Sequence, residues 1–230
     1  MKILAVIPAR FGSKGIPNKN IKLLNGKPLI SYTIEASINS QISHTIVSTD
    51  SFEISKIARE YGLEVHNRCA SLAKDDTPTL PVIQEVIDNL NDKYDAVMTL
   101  QPTSPLRSNL HINEAINLFH DNKSADSLVS VVATPHNYLS EKQMLINGDF
   151  IFGNTNPLRR QECKTSYSRN GAAIYLSQME LLKTSILGFK ILPYIMDKIH
   201  SIDIDDMEDW LIAESILSFK DKINTKLKIL

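Results

Sequence analysis

Cysteine is scarce: Cys69 and Cys163 are the only two in 230 residues, and they lack the paired spacing of a metal knuckle. A disulfide framework and a thiolate zinc site are both excluded, and neither cysteine reads as a nucleophile. Two reduced thiols in a cytoplasmic protein are expected. An excess of either charge is also missing. With 25 Lys and Arg against 26 Asp and Glu, the formal net charge is −1. Nucleic acid is therefore not the expected partner, since a nucleic-acid-binding domain usually carries a basic excess. No apolar run approaches membrane-spanning length, and Met1-Lys2 leads straight into a short apolar run with no room for a signal peptide. Internal repeats and low-complexity stretches are absent. What remains is the length and composition of a single α/β domain over residues 1–230, large enough for a core without staples.

Acidic residues are absent before Glu35, and the stretch they avoid is the most informative in the chain. Ile3 to Ile7 is the continuous apolar run of a strand covered on both faces, and Pro8 ends it by removing a ladder donor. In the loop that follows, Gly12 and Gly15 permit backbone angles that let successive N–H groups converge on an anion. Arg10, Lys14 and Lys19 add positive charge with no carboxylate to oppose it. A polyphosphate at this edge would meet oriented amides and a positive field. The loop matches neither G-x-x-x-x-G-K-[ST] nor G-x-G-x-x-G.

Downstream, helical and strand periodicities alternate. Gly26-Lys27-Pro28 marks a turn and helix start, with a helix from Leu29 to about Asn39, then a strand at His44–Thr49 and a helix capped at Asp50-Ser51 through Ile54, Ile57 and Ala58. A short strand follows at Leu63–His66. Pro81 suits a helix start, and strand character returns at Tyr94–Leu100, before a helix over Asn109–His120 and a strand at Ser127–Val132. Residues 133–169 break the alternation, with Asn147-Gly148 as a hairpin signal and Arg159-Arg160 as a basic cluster. Strands at Gly171–Leu176 and Phe189–Met196 and a helix over Asp206–Phe219 complete the series, with a frayed tail from Lys220. The pattern predicts a three-layer α/β/α sandwich with a mostly parallel sheet, in which ligands gather beyond the carboxyl ends of the strands.

Ser201-Ile-Asp-Ile-Asp205 is the second informative stretch. In extended geometry Asp203 and Asp205 share one face while Ile202 and Ile204 share the other, so the carboxylates can hold Mg²⁺, an ion that binds through one or two carboxylates plus substrate phosphates. The same residues also fit a helix start, with Asp205 and Glu208 as a capping box. Gln101-Pro-Thr-Ser-Pro-Leu-Arg107 reads as a proline-stiffened loop, and Asp75-Asp-Thr-Pro-Thr79 as a cap. His136 and His200 are read as members of polar surface networks, with no catalytic role.

The opening loop resembles the N-terminal signature of nucleotide-sugar pyrophosphorylases, specifically the acylneuraminate cytidylyltransferases, or CMP-sialic acid synthetases. The resemblance runs through residues 1 to about 217, with several motifs in the family order, and implies a nucleotide-diphospho-sugar transferase-like fold. It implies that CTP and a nine-carbon 2-keto sugar acid, N-acylneuraminate or legionaminate, give the CMP-sugar and pyrophosphate. By resemblance, Arg10, Ser13, Lys14 and Lys19 bind phosphates, Lys19-Asn20 reaches toward the nucleotide, and Thr77 and Thr79 border the base or ribose. Asp203 and Asp205 hold Mg²⁺. Gln101, Ser104 and Arg107 face the acceptor, as do Lys142, Asn170 and Tyr175, and Arg159, Arg160 or Arg169 meets its carboxylate. Phe11 stands where many members have a small residue, and Arg169 adjoins Asn170 where some members insert one residue. Homodimers are implied too, through an excursion over about 136–169 that includes Tyr138.

Three other readings stay open. Activation of the eight-carbon acid KDO is disfavoured because Ile16-Pro-Asn-Lys-Asn20 replaces a Leu-Pro-Gly-Lys-type segment; pseudaminate is a further possible acceptor. A GT-A glycosyltransferase would use Asp203-Ile-Asp205 as Asp-x-Asp, and a nucleotide-binding module would lack catalysis.

Overall fold

Ile3–Pro8 (β1) lies at the centre of the sheet, and its apolar run is explained by burial on both faces. Ile3, Ala5 and Ile7 enter one core cluster, Leu4 and Val6 the other, which is the alternation a two-sided strand requires. The computed structural model describes residues 1–13, 15–153, 161 and 163–219. Lys14, Arg159, Arg160 and the tail from Lys220 therefore lie outside the described residues.

After β1 the chain forms a small hairpin, Leu23–Leu24 (β2) with Lys27–Pro28 (β3), and then the helix Leu29–Ile38 (α1). The strand His44–Thr49 (β4), helix Phe52–Glu60 (α2) and strand Glu64–Asn67 (β5) continue the alternation. Next come the helix Thr79–Asp88 (α3), strand Ala96–Thr99 (β6), helix Asn109–Asp121 (α4) and strand Ser127–Ala133 (β7). The excursion carries the hairpin Met144–Asn147 (β8) and Phe150–Gly153 (β9). The chain returns through Tyr167–Arg169 (β10), Tyr175–Gln178 (β11) and Ile191–Met196 (β12) and ends in the helix Met207–Ser218 (α5).

Among the described residues the central sheet runs β10-β7-β11-β6-β1-β4-β5, with β12 on the other edge of β7. It is mixed but mostly parallel. β6, β1, β4 and β5 are mutually parallel and β12 is parallel to β7, whereas β10 and β11 run antiparallel to their partners. Helices α1, α2 and α4 cover one face and α3 the other, giving the three layers.

Three boundaries differ from expectation. The strand expected from Gly171 begins only at Tyr175, because the carbonyls of Ala172 and Ala173 accept hydrogen bonds from the Gln101 amide and the Arg107 side chain. Asn25-Gly26 makes a hairpin turn, both residues having positive φ, where a simple turn and helix start were expected. The N-cap of α5 is Asp206, paired with Asp209, so the capping box is displaced by one residue from Asp205 and Glu208.

Candidate active site

A cleft opens beyond the carboxyl ends of β1 and β6, as expected for this architecture. Arg10, Gly12, Ser13, Lys19 and Asn20 line one side; Thr77, Thr79 and Gln101 line it elsewhere. Residues from three separate sequence regions therefore share one depression. The loop after β1 is braced internally: the Asn20 side-chain amide donates to the Arg10 carbonyl at 3.1 Å, and the Phe11 amide donates to Asp50 at 2.7 Å. The Arg10 guanidinium is ion-paired with Asp75.

The loop is docked onto the acidic segment by an apolar lock. Ile16 from the basic loop and Ile204 from between the two aspartates are both fully buried, in one cluster with Leu24, Leu29 and Trp210. Along 202–205 Ile204 is fully buried and Ile202 packs half-buried against the same cluster, while Asp203 is half-buried and Asp205 exposed. Gly15 is required by proximity, since a Cβ there would lie 2.3 Å from the Asp205 carbonyl oxygen. Beside this contact the Lys19 ammonium is buried and donates to the Ile204 carbonyl at 2.6 Å. Burial lowers the Lys19 pKa, opposed by the charges of Asp205 and Asp203. A lysine and two carboxylates, 184 residues apart at Lys19 and Asp203, are thereby held as one unit.

Asp203 has the environment of a ligand awaiting a partner. Its Oδ1 is buried and, like the Thr103 hydroxyl that interacts with this carboxylate, lacks a partner of good hydrogen-bond geometry among the described residues. Burial raises the Asp203 pKa, with Asp205 adding to the rise and Thr103 and Lys19 opposing it. Asp206 does the capping of α5, so the Asp205 side chain is not committed to the helix start. An all-oxygen donor set with an unsatisfied buried carboxylate oxygen fits Mg²⁺. Asp203 packs directly on Gly171, where φ is +66° and a Cβ would lie 2.3 Å from Asp203 Oδ2. Gly171→Ala is therefore expected to cost about 1–3 kcal/mol in stability through strain and displacement. Chemical denaturation checks this; an unchanged midpoint would show that the carboxylate moves aside freely.

The cytidylyltransferase family profile matches residues 4–184, well over half of the chain. The chain belongs to the cytidylyltransferase family. The N-acylneuraminate cytidylyltransferase of Escherichia coli O18:K1:H7 is 36% identical over 225 residues, which cover 96% of this chain and 53% of that protein. N-acylneuraminate cytidylyltransferase A of Danio rerio is 38% identical over 219 residues, covering 92% and 50%. The chain thus spans about half the length of these curated relatives. A solved CMP:2-keto-3-deoxy-manno-octonic acid synthetase complexed with CTP has a TM-score of 0.74 at 16% identity, over 96% of this chain and 100% of that one. That is a likeness of fold. No helix among the described residues is long and apolar enough to cross a membrane.

Within this member of the family the expected acceptor residues separate into distinct environments. Gln101 lines the cleft, but Arg107 does not. Its guanidinium is fully buried and donates to the carbonyls of Ala173 (2.8 Å) and Gln101 (3.2 Å) and to the Thr33 hydroxyl (2.6 Å). The expectation that Arg107 faces an acceptor is corrected: it holds the Gln101 loop against β11's approach from inside the core. Burial pulls its pKa down to about 9, still above neutrality, so it remains charged. Ser104 is likewise buried, its hydroxyl without a partner among the described residues. Asn170 is buried and donates to the Ser201 hydroxyl at 3.1 Å, which ties it to the acidic loop. Arg169 is exposed on β10, Tyr175 is half-buried at the start of β11, and Lys142 contacts His136 at 3.1 Å in the excursion; none of these lines the cleft.

Sequence reasoning passed over Arg68 and Lys74, which do line it. Arg68 is buried after β5, donating to the Ser48 carbonyl at 2.7 Å and hydroxyl at 3.2 Å, and burial lowers its pKa against the pull of Asp50 and Glu85. A lone arginine after a short strand carries no local signal. Only the pairing of β5 with β4 brings it to Ser48.

Proposed function

We propose that this chain activates a nine-carbon 2-keto sugar acid, of the N-acylneuraminate or legionaminate type, with CTP to give the CMP-sugar and pyrophosphate. The observation that carries the reading is the docking of Lys19 onto the Asp203-Ile-Asp205 segment at the edge of a cleft lined by Arg10, Ser13 and Asn20. The names of the relatives support the substrate class. In the reaction the acceptor's C2 hydroxyl oxygen bonds to the α-phosphorus, the bond from that phosphorus to the bridging oxygen breaks, and the hydroxyl proton is lost. Such transfer needs positioning and charge neutralisation, not a covalent nucleophile.

Lys19 presents its ammonium from a fixed seat, Ser13 and Asn20 supply neutral donors, and Arg10 spans from the basic loop to Asp75. Lys14 stands in the same loop. Asp203 and Asp205 would hold Mg²⁺. When bound, that ion would neutralise charge on the phosphoryl oxygens. Thr77, Thr79 and Gln101 line the same cleft, and the reading assigns the two threonines to the nucleoside and Gln101 to the acceptor.

The excursion supports a homodimer. On β8 and β9, Leu145, Ile146, Phe150, Ile151 and Phe152 are all more than half exposed, an apolar hairpin larger than a monomer ordinarily leaves bare. A second copy of this chain seated there is the occupant the reading assigns, with Lys142 and Arg169 as its candidate contributions to an acceptor pocket. A cytoplasmic location accords with the scarcity of cysteine, Cys69 and Cys163 being the two in the sequence.

The test is Mg²⁺-dependent pyrophosphate release from CTP with N-acetylneuraminic, legionaminic, pseudaminic and KDO acids. Release is expected with one of the first two, ranked by kcat/KM. Preference for KDO would replace the nine-carbon reading, and CTP binding without release under any acid would leave a nucleotide-binding module.

A further inference from the structure

Away from the cleft, the start of α4 and the turn after β12 bring two histidines together. The rings of His111 and His200 have centroids 4.7 Å apart, tilted at 59°. Asp197 completes the group: one donor atom from each of His111, Asp197 and His200 lies within 4.8 Å of the other two. The carboxylate is itself firmly placed. Its Oδ1 accepts the amides of Ile199 (2.9 Å) and His200 (3.0 Å), and its Oδ2 takes His200 Nδ1–H at 2.6 Å. His111 Nδ1 accepts the Ser108 amide at 3.1 Å, so the Nε2 of each ring is free of partners among the described residues. All three residues retain some solvent access, which leaves an entry path.

We propose that His111, Asp197 and His200 form a second cation site, selective for a late first-row transition metal such as Zn²⁺. Imidazole nitrogens favour these ions, whereas the all-oxygen Asp203 and Asp205 pair favours Mg²⁺, so donor chemistry sorts the two cations between two sites. Three protein ligands leave further positions to water. Protonation states permit it. Burial, followed by the neighbouring His200, lowers the His111 pKa and keeps that ring neutral near pH 7. When Nε2 binds the cation, its proton moves to Nδ1, which gives up the Ser108 amide and donates instead to the Ser108 hydroxyl at 3.1 Å. The proton between His200 Nδ1 and Asp197 moves to His200 Nε2, which leaves Nδ1 and the carboxylate for the cation without net loss of a proton. Because His200 precedes Ser201, which holds Asn170, the cation would pin the 197–205 turn to α4.

The experiment uses tag-free, chelator-treated full chain titrated with Zn²⁺ in excess Mg²⁺, with competition by a metal-binding dye and with Co²⁺ absorption as a second readout. One equivalent is expected to bind, and Co²⁺ should show bands of a nitrogen- and oxygen-ligated ion. His200→Ala and His111→Gln should each weaken binding by at least about 100-fold, since even outer-shell changes cost 10–100-fold. Asp203→Asn should leave it unchanged. Thermal melts without metal establish that each variant folds. Equal Zn²⁺ affinity in wild type and His200→Ala, no binding at all, or loss of binding in Asp203→Asn would each overturn the proposal. The readout is metal affinity, so it stands apart from whether the chain turns over CTP.

Discussion

Asp203→Asn is expected to reduce Mg²⁺-dependent turnover by at least about 100-fold, because removing a metal's own ligand exceeds the 10–100-fold typical of an outer-shell partner. Stability should move the other way. A carboxyl whose folded-state pKa is raised by burial contributes stability that is present below its ordinary value and lost as pH rises through the raised one. At neutral pH the native state therefore bears the cost of the charged carboxylate, and asparagine relieves it while filling the same space on Gly171. The variant should melt at or above the wild-type temperature at pH 7, with the difference closing as the wild-type carboxyl protonates in acid. Activity lost together with stability would instead make Asp203 a structural support of the 201–205 turn.

Lys19→Met is expected to lower kcat/KM for CTP by about 10²–10³-fold, the range for removing one preorganised donor from a site of developing charge. The effect is large because the ammonium is already desolvated and aimed by the Ile204 carbonyl, so it reorganises little when phosphate arrives. Arginine should not rescue it, since the seat holds one compact ammonium and a planar fork has different reach. A lysine with a depressed folded-state pKa costs stability while protonated, and stability recovers as pH rises from that lowered value toward the ordinary one. Wild type should show this alkaline gain relative to Lys19→Met. Full CTP use in the variant would remove Lys19 from the phosphate site and leave it as a tie between two loops.

The parts of the molecule legible in the sequence are those with local periodicity. β1 declares its two-sided burial through five consecutive apolar residues, and Ile202 and Ile204 declare the face opposite Asp203 and Asp205. Contacts across long sequence separation are less visible. Arg107 reads as a polar loop residue, yet its partners Thr33 and Ala173 come from α1 and from the approach to β11, 74 and 66 residues away, and turn it inward. Arg68 is hidden for the same reason, its site existing only once β5 pairs with β4. Gly15 reads in the sequence as a source of special backbone angles, yet it is not among the glycines with positive φ and serves close approach to Asp205. The shift of the α5 cap from Asp205 to Asp206 reflects a run of acidic residues in which several registers satisfy the same pattern.

The most direct measurement is a crystal structure with CTP and Mn²⁺, located by anomalous scattering. The triphosphate is expected along residues 10–20 beside Lys19, with manganese on Asp203 and Asp205. A triphosphate bound elsewhere, or manganese away from those carboxylates with CTP in place, would contradict the account.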